Sequence, residues 1–135
     1  MKKQIFVNLP VTDLKKAMDF YTQIGFTNNA QFTDETAACM VLTDEIFVML
    51  LTHAKFKEFT PKAIPDAKKT TEVLNAVSFE SNEAVDDVVK KAIAAGGIEF
   101  RLAQDYGFMY NRAFEDPDGH IWEVFHMDMS KFPQS

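Results

Sequence analysis

Apolar and polar residues change their period along this chain, and they do so twice in the same order. Ile5 to Val11 has the apolar density of a strand. Asp13 or Thr12 then caps a helix in which Leu14, Ala17, Met18 and Tyr21 recur at helical spacing, and Gly25 ends it. Strand patterns follow at Phe26 to Phe32, Ala37 to Leu42 and Ile46 to Thr52, the last two separated by the polar turn Thr43-Asp44-Glu45. The second half opens with a strand from Val73 to Phe79. Ser81 or Asn82 caps a helix carrying Val85, Val88, Val89, Ala92 and Ile93 on one stripe, which stops at Gly96-Gly97. Three strands come next, near Ile98 to Leu102, Met109 to Glu115 and His120 to Met127. Sliding the first helix onto the second places Leu14 on Val85, Ala17 on Val88, Met18 on Val89, Tyr21 on Ala92 and Gly25 on Gly96, a weak internal repeat.

The pattern predicts an α+β protein of two βαβββ modules. Residues 1–135 form a single domain by length, with the first module at 4–52, a linker at 53–72 and the second module at 73–128. The linker holds Pro61 and Pro65, alternating charges, and Phe56 and Phe59 as its large aromatic residues. It reads either as a surface connection pinned by those two rings or as a flap over a cavity.

Composition narrows the partners. A formal charge of -6 argues against nucleic acid or anionic lipid. No apolar run reaches the roughly 18 to 20 residues of a membrane span. With one cysteine, Cys39, no intramolecular disulfide can form, and Met1-Lys2-Lys3-Gln4 leads directly into a strand pattern, so a cytoplasmic protein is expected. Thirteen Phe and seven Met suit a dense core or an adaptable apolar pocket. Cys39, between Ala38 and Met40, is expected to be a packed thiol. No His-Glu-x-x-His, paired-Cys, Gly-rich phosphate loop or Ser-centred elbow occurs.

The most informative stretch is Phe114 to Phe125, where the turn Asp116-Pro117-Asp118-Gly119 joins two apolar strands and delivers Glu123 into the second. Together with Asp13-Leu14 opening a helix that carries Asp19-Phe20-Tyr21, this closing motif resembles the vicinal oxygen chelate superfamily, which includes glyoxalase I, extradiol dioxygenases and bleomycin-resistance proteins. The likeness spans Gln4 to His126 and is nearest to glyoxalase-like or PhnB-like members. It implies that the two modules curl a mixed sheet around a cavity, and that metal-binding members place one ligand on each of four strands.

On the family pattern those four positions fall at Phe6, where His or Gln is usual, at Leu50 (or its neighbour Met49), at Leu74 (or Asn75), and at Glu123. Phe and Leu have no lone pairs for a metal, so no metal ligands and no cofactor are predicted, and a divalent ion enters only with a different strand register. A facial triad lacks its imidazoles: His53 follows a strand, His120 occupies the turn, and His126 has the opposite parity to Glu123.

If Phe114 pairs with Ile121, Arg112 lies opposite Glu123 and Tyr110 opposite Phe125, so Arg112 supplies the charge balance that a metal supplies elsewhere in the family. Strand parity adds Asn8 to Phe6, Thr52 to Leu50, and Ser78 to Leu74. The expected ligand pocket is thus Phe6, Asn8, Leu50, Thr52, Leu74, Ser78, Tyr110, Arg112, Glu123 and Phe125. Three functions follow: a homodimer that binds a small molecule without metal, a glyoxalase-type lyase or isomerase with Glu123 as catalytic general base, or a structural dimer with no ligand.

Overall fold

The computed structural model describes residues 2–133. In chain order the elements are β1 (Ile5–Val11), α1 (Leu14–Gln23), β2 (Thr27–Asn29), β3 (Ala37–Val41), β4 (Ile46–Thr52), α2 (His53–Phe56), β5 (Asn75–Ser78), α3 (Asn82–Ala94), β6 (Gln104–Asp105), β7 (Met109–Glu115) and β8 (Ile121–Met127). They form two four-stranded mixed sheets, ordered β1-β4-β3-β2 and β5-β8-β7-β6, so the α+β class and the repeated βαβββ order hold. The sheets belong to two compact units, Met1–Ala67 and Lys68–Ser135.

In the first unit, the Asp13 carboxylate accepts the Lys16 N–H at 3.1 Å and starts α1. Gly25, with φ of 114°, turns the chain out of it. Ala17, Phe20 and Tyr21 are the buried residues of α1, which packs on β3 and β4. Strand alternation gives that packing its partners: Ala38 lies beside Leu50, and Met40 beside Val48, all fully buried. Burying Leu50, Met40 and Val48 contributes about 1.5 to 3 kcal/mol each.

The second unit repeats the plan. Ser81 Oγ accepts the Ala84 N–H at 3.0 Å to start α3, whose buried residues are Val85, Val88, Val89 and Ala92. The helix packs on β7 and β8, where Phe114, Trp122 and Val124 are buried. Among the described residues no helix is long and apolar enough to cross a membrane.

Two strands are much shorter than the sequence pattern predicts, and a third is absent. Phe26 to Phe32 reduces to β2 plus a 3-10 turn at Ala30–Phe32, because Asn29 Oδ1 accepts the Gln31 N–H and the Thr33 hydroxyl donates to the Asn29 carbonyl. Val73 to Phe79 reduces to β5. Ile98 to Leu102 is no strand. Only Ile98 bridges β7, at Glu115, and regular pairing resumes at β6, so that residues 99–103 run opposite residues 112–114 as a bulged connection.

The hairpin register also differs from expectation. The Asp116 N–H donates to the His120 carbonyl at 2.9 Å, closing a loop of Pro117, Asp118 and Gly119, the last with φ of 96°. Phe114 therefore aligns with Trp122 and Ala113 with Glu123, one residue away from the predicted Phe114–Ile121 pairing. A one-residue slip moves side chains to the other face, which carries Arg112 away from Glu123.

Asp116 holds this turn. It is 3% exposed, and its Oδ1 accepts the N–H groups of Asp118 and His120, each at 2.9 Å. Asp116→Ala leaves two backbone donors without that acceptor and should cost about 1 to 3 kcal/mol, read as a lower urea midpoint at unchanged slope. A midpoint equal to that of the parent protein would show that water replaces the carboxylate.

Candidate functional site

β8 carries two sets of side chains. One set shares a face with α3; the other looks away from the helix. Glu123 and Phe125 belong to the second set, aligned with Ala76 and Ser78 on β5 and with Ala113 and Asn111 on β7. Leu74 just precedes β5 with the same parity and is exposed.

The cation on this open face is Arg101, from the bulged connection. Its Nη2 donates to Glu123 Oε2 at 3.1 Å and to Asn111 Oδ1. The Arg101 and Glu123 side chains are 23% and 27% exposed, whereas Asn111 is 7% exposed, so the amide anchors a pair that solvent still reaches. Sequence reasoning missed both Arg101 and Asn111. The available signal was the lone cation in Ile98-Glu99-Phe100-Arg101-Leu102, an apolar stretch whose polar members both turn out to be anchors.

Arg112 and Tyr110 face α3 instead. Arg112 clamps Glu99 through Nε at 2.9 Å and Nη2 at 2.7 Å, and its Nη1 donates to Asp86 Oδ1 at 2.8 Å. The Tyr110 hydroxyl donates to the same Asp86 oxygen at 2.6 Å. That hydrogen bond holds the Asp86 carboxyl below its ordinary value, with help from Arg112, and raises the Tyr110 phenol against the opposing pull of Arg112. The bond to Glu99 raises the Arg112 guanidinium further above neutrality. These four side chains tie the helix, the sheet and the bulged connection together.

The first sheet also separates the predicted residues. Phe6 and Asn8 lie on its face away from α1, beside Phe47 and Met49, with the Phe6 and Phe47 rings stacked at 4.4 Å. Leu50 and Thr52 have the other parity: Leu50 is buried under α1, and Thr52 Oγ1 accepts the Lys55 N–H at 3.2 Å to start α2. Alternation thus selects Met49 over Leu50 as the neighbour of Phe6.

Among the described residues no three His, Cys, Asp or Glu side chains are grouped to hold a metal ion. The donors around Glu123 do not fit one either, because a guanidinium occupies the carboxylate and repels a cation. His126 has the parity opposite to Glu123, as expected. Its Nδ1 lies 2.8 Å from the Phe79 carbonyl, an acceptor, and therefore carries the proton. With Phe108 and Lys131 it borders a cleft of about 210 Å³ at the first turn of α3. Cys39 is buried, and burial raises its thiol pKa, as befits a packed side chain.

Residues 3–124 match the family model described as the glyoxalase/bleomycin resistance protein/dioxygenase superfamily. Among solved structures, the hypothetical protein SA1046 from S. aureus aligns with 26% identity and a TM-score of 0.77, over 93% of this chain and 95% of that one. A glyoxalase/bleomycin resistance protein/dioxygenase family enzyme from Burkholderia phytofirmans PsJN shares the fold at 19% identity and a TM-score of 0.77, over 94% and 100%. TioX from Micromonospora sp. ML1 does so at 20% identity and a TM-score of 0.66, over 94% and 100%. No curated protein matches the chain.

The helix-side network predicts a pH signature. A lowered Asp86 pKa contributes stability above the unfolded value of about 3.9, lost as pH falls through the folded value. A raised Tyr110 pKa contributes below about 10 and is lost as pH rises through its folded value. Arg112→Met should lower stability near pH 7 by about 1 to 3 kcal/mol, between the exposed-pair and buried-pair limits. The loss should shrink at acid pH, as the lowered Asp86 carboxyl takes up its proton. Urea midpoints at both pH values measure it; a pH-independent loss would assign Arg112 to packing alone.

Proposed function

The chain belongs to the glyoxalase/bleomycin resistance protein/dioxygenase superfamily, and on that premise we propose that it binds a small molecule on the open face of its second sheet without a metal ion. One observation carries this reading: Glu123 is half-buried, and Arg101 together with Asn111 supplies the balancing charge and hydrogen bonding. A half-buried carboxylate gains from an opposite charge beside it. Phe125 and Ala76 add apolar surface beside this polar centre, the usual make-up of a small-molecule site.

A lyase or isomerase with Glu123 as general base is the second reading. It draws on the Glu123 Oε1 atom, which accepts no hydrogen bond among the described residues and so has a lone pair to offer a substrate proton. Its difficulty is the oxyanion such a reaction develops, for which Arg101 is the charged donor within reach of Glu123.

We further propose a homodimer. Each sheet has two outer strands, β1 and β2 in one and β5 and β6 in the other, and β1 exposes Ile5 and Phe6. Unpaired edges with apolar side chains invite a second copy. Light scattering after size exclusion should report two chains per particle at micromolar concentration, and a monomer would remove this proposal.

Binding itself is tested on chelator-treated protein by a thermal-shift screen of small metabolites. A ligand at roughly a hundredfold excess over Kd stabilises by about 2.7 kcal/mol, which a melting curve resolves. Glu123→Gln should weaken the hit tenfold or more, with the parent affinity unchanged by chelation. A metal bound near one per chain and lost in Glu123→Gln would overturn the metal-free site. Turnover of a glyoxalase-type substrate, abolished by the same variant at intact stability, would install the second reading.

A further inference from the structure

Arg101 and Glu123 touch through a single nitrogen and a single oxygen. Nη2 spends its hydrogens on Asn111 and Glu123, and Nη1 makes one long bond, 3.4 Å, to the Leu102 carbonyl. Among the described residues Nε–H and the second Nη1–H have no acceptor, and Glu123 Oε1 has no donor. Arg112 shows what a completed guanidinium looks like in this fold: Nε, Nη1 and Nη2 are all engaged, with Glu99 clamped through both oxygens.

The open face therefore presents unmatched donors beside an unmatched acceptor. From this, and resting on the small-molecule reading above, we infer that the ligand is a short zwitterion, an apolar α-amino acid, whose carboxylate meets Arg101 and whose ammonium meets Glu123. A lone anion would face repulsion from Glu123, and a lone cation repulsion from Arg101; a zwitterion meets each end with the opposite charge. Because the two side chains are in contact, at 3.1 Å between Nη2 and Oε2, the ligand's own charges must also lie near each other, which an α-amino acid satisfies and a long zwitterion does not. Phe125, half-buried on the same face, takes the apolar side chain.

The experiment is an NMR titration of the uniformly nitrogen-labelled full chain with leucine, leucine methyl ester and N-acetyl-leucine. Leucine should shift the amide resonances of Asn111, Glu123 and Val124, and both capped forms should bind at least tenfold more weakly. Arg101→Met should erase the preference for the free acid over the ester, and Arg101→Lys should restore part of it. Glu123→Gln should erase the preference over the N-acetyl form. Spectral dispersion reports whether each variant is folded. Equal binding of all three compounds would overturn the inference, because the face would then be recognising the side chain alone. If hits from the metabolite screen move these amides while leucine does not, this inference falls and the small-molecule reading stands. If neither leucine nor any screened compound moves them, both fall.

Discussion

A carboxylate buried inside a tight turn decides how the second unit is wired. Because Asp116 accepts two backbone N–H groups across Pro117 to Gly119, β7 and β8 leave the turn with Glu115 opposite Ile121 and no other alignment. Every later consequence follows by alternation. Glu123 and Asn111 face away from α3, Arg112 and Tyr110 face toward it, and the chemistry of the two faces is separated.

The bulged connection joins these faces at the edge of the sheet. Glu99 reaches to the helix side, where Arg112 grips it, while Arg101 reaches to the open side and meets Glu123. Extra residues opposite 112–114 let two nearby side chains point to opposite faces, which a regular strand would forbid. The strand lost between Ile98 and Leu102 is the same feature that delivers the cation. Asp86 and Tyr110 complete the helix side, so the connection is held by charge on both surfaces.

Long periodic segments were legible in the sequence. Of the predicted stripe, Val85, Val88, Val89 and Ala92 are buried and Ile93 is exposed; the Asp13 and Ser81 caps and the glycines after each helix have local causes and appear where the pattern places them. The family resemblance, carried by Asp13-Leu14 and by the closing turn, is shown by the match over residues 3–124. The face of each strand residue was harder to read. Loop length at Asp116–His120 differs by one residue from a simpler hairpin, and that single step exchanged Arg112 for Ala113 beside Glu123. In the first sheet the same parity separates Leu50 from Phe6. Arg101 was invisible for another reason: its role depends on a bulge, and a bulge has no periodic signature. Strand register predicts Arg112 opposite Glu123; Ala113 stands there instead, and the guanidinium that pairs with Glu123 is that of Arg101.

In both units the opening strand lies parallel to the closing one: Ile5 aligns with Ile46, and Asn75 with Trp122. A parallel partner cannot be reached by a hairpin, so each opening strand waits for a helix and further strands to be made before its ladder can form. During synthesis on the ribosome, the apolar β1 is therefore unpaired until β4 emerges, and β5 is unpaired until β8 does. The non-local pairing carries its loop-closure entropy late in folding, which slows the step. Nascent chains halted before β4 leave β1 without its partner, and those halted between β4 and β8 hold the strands of the first sheet while β5 still waits for its own.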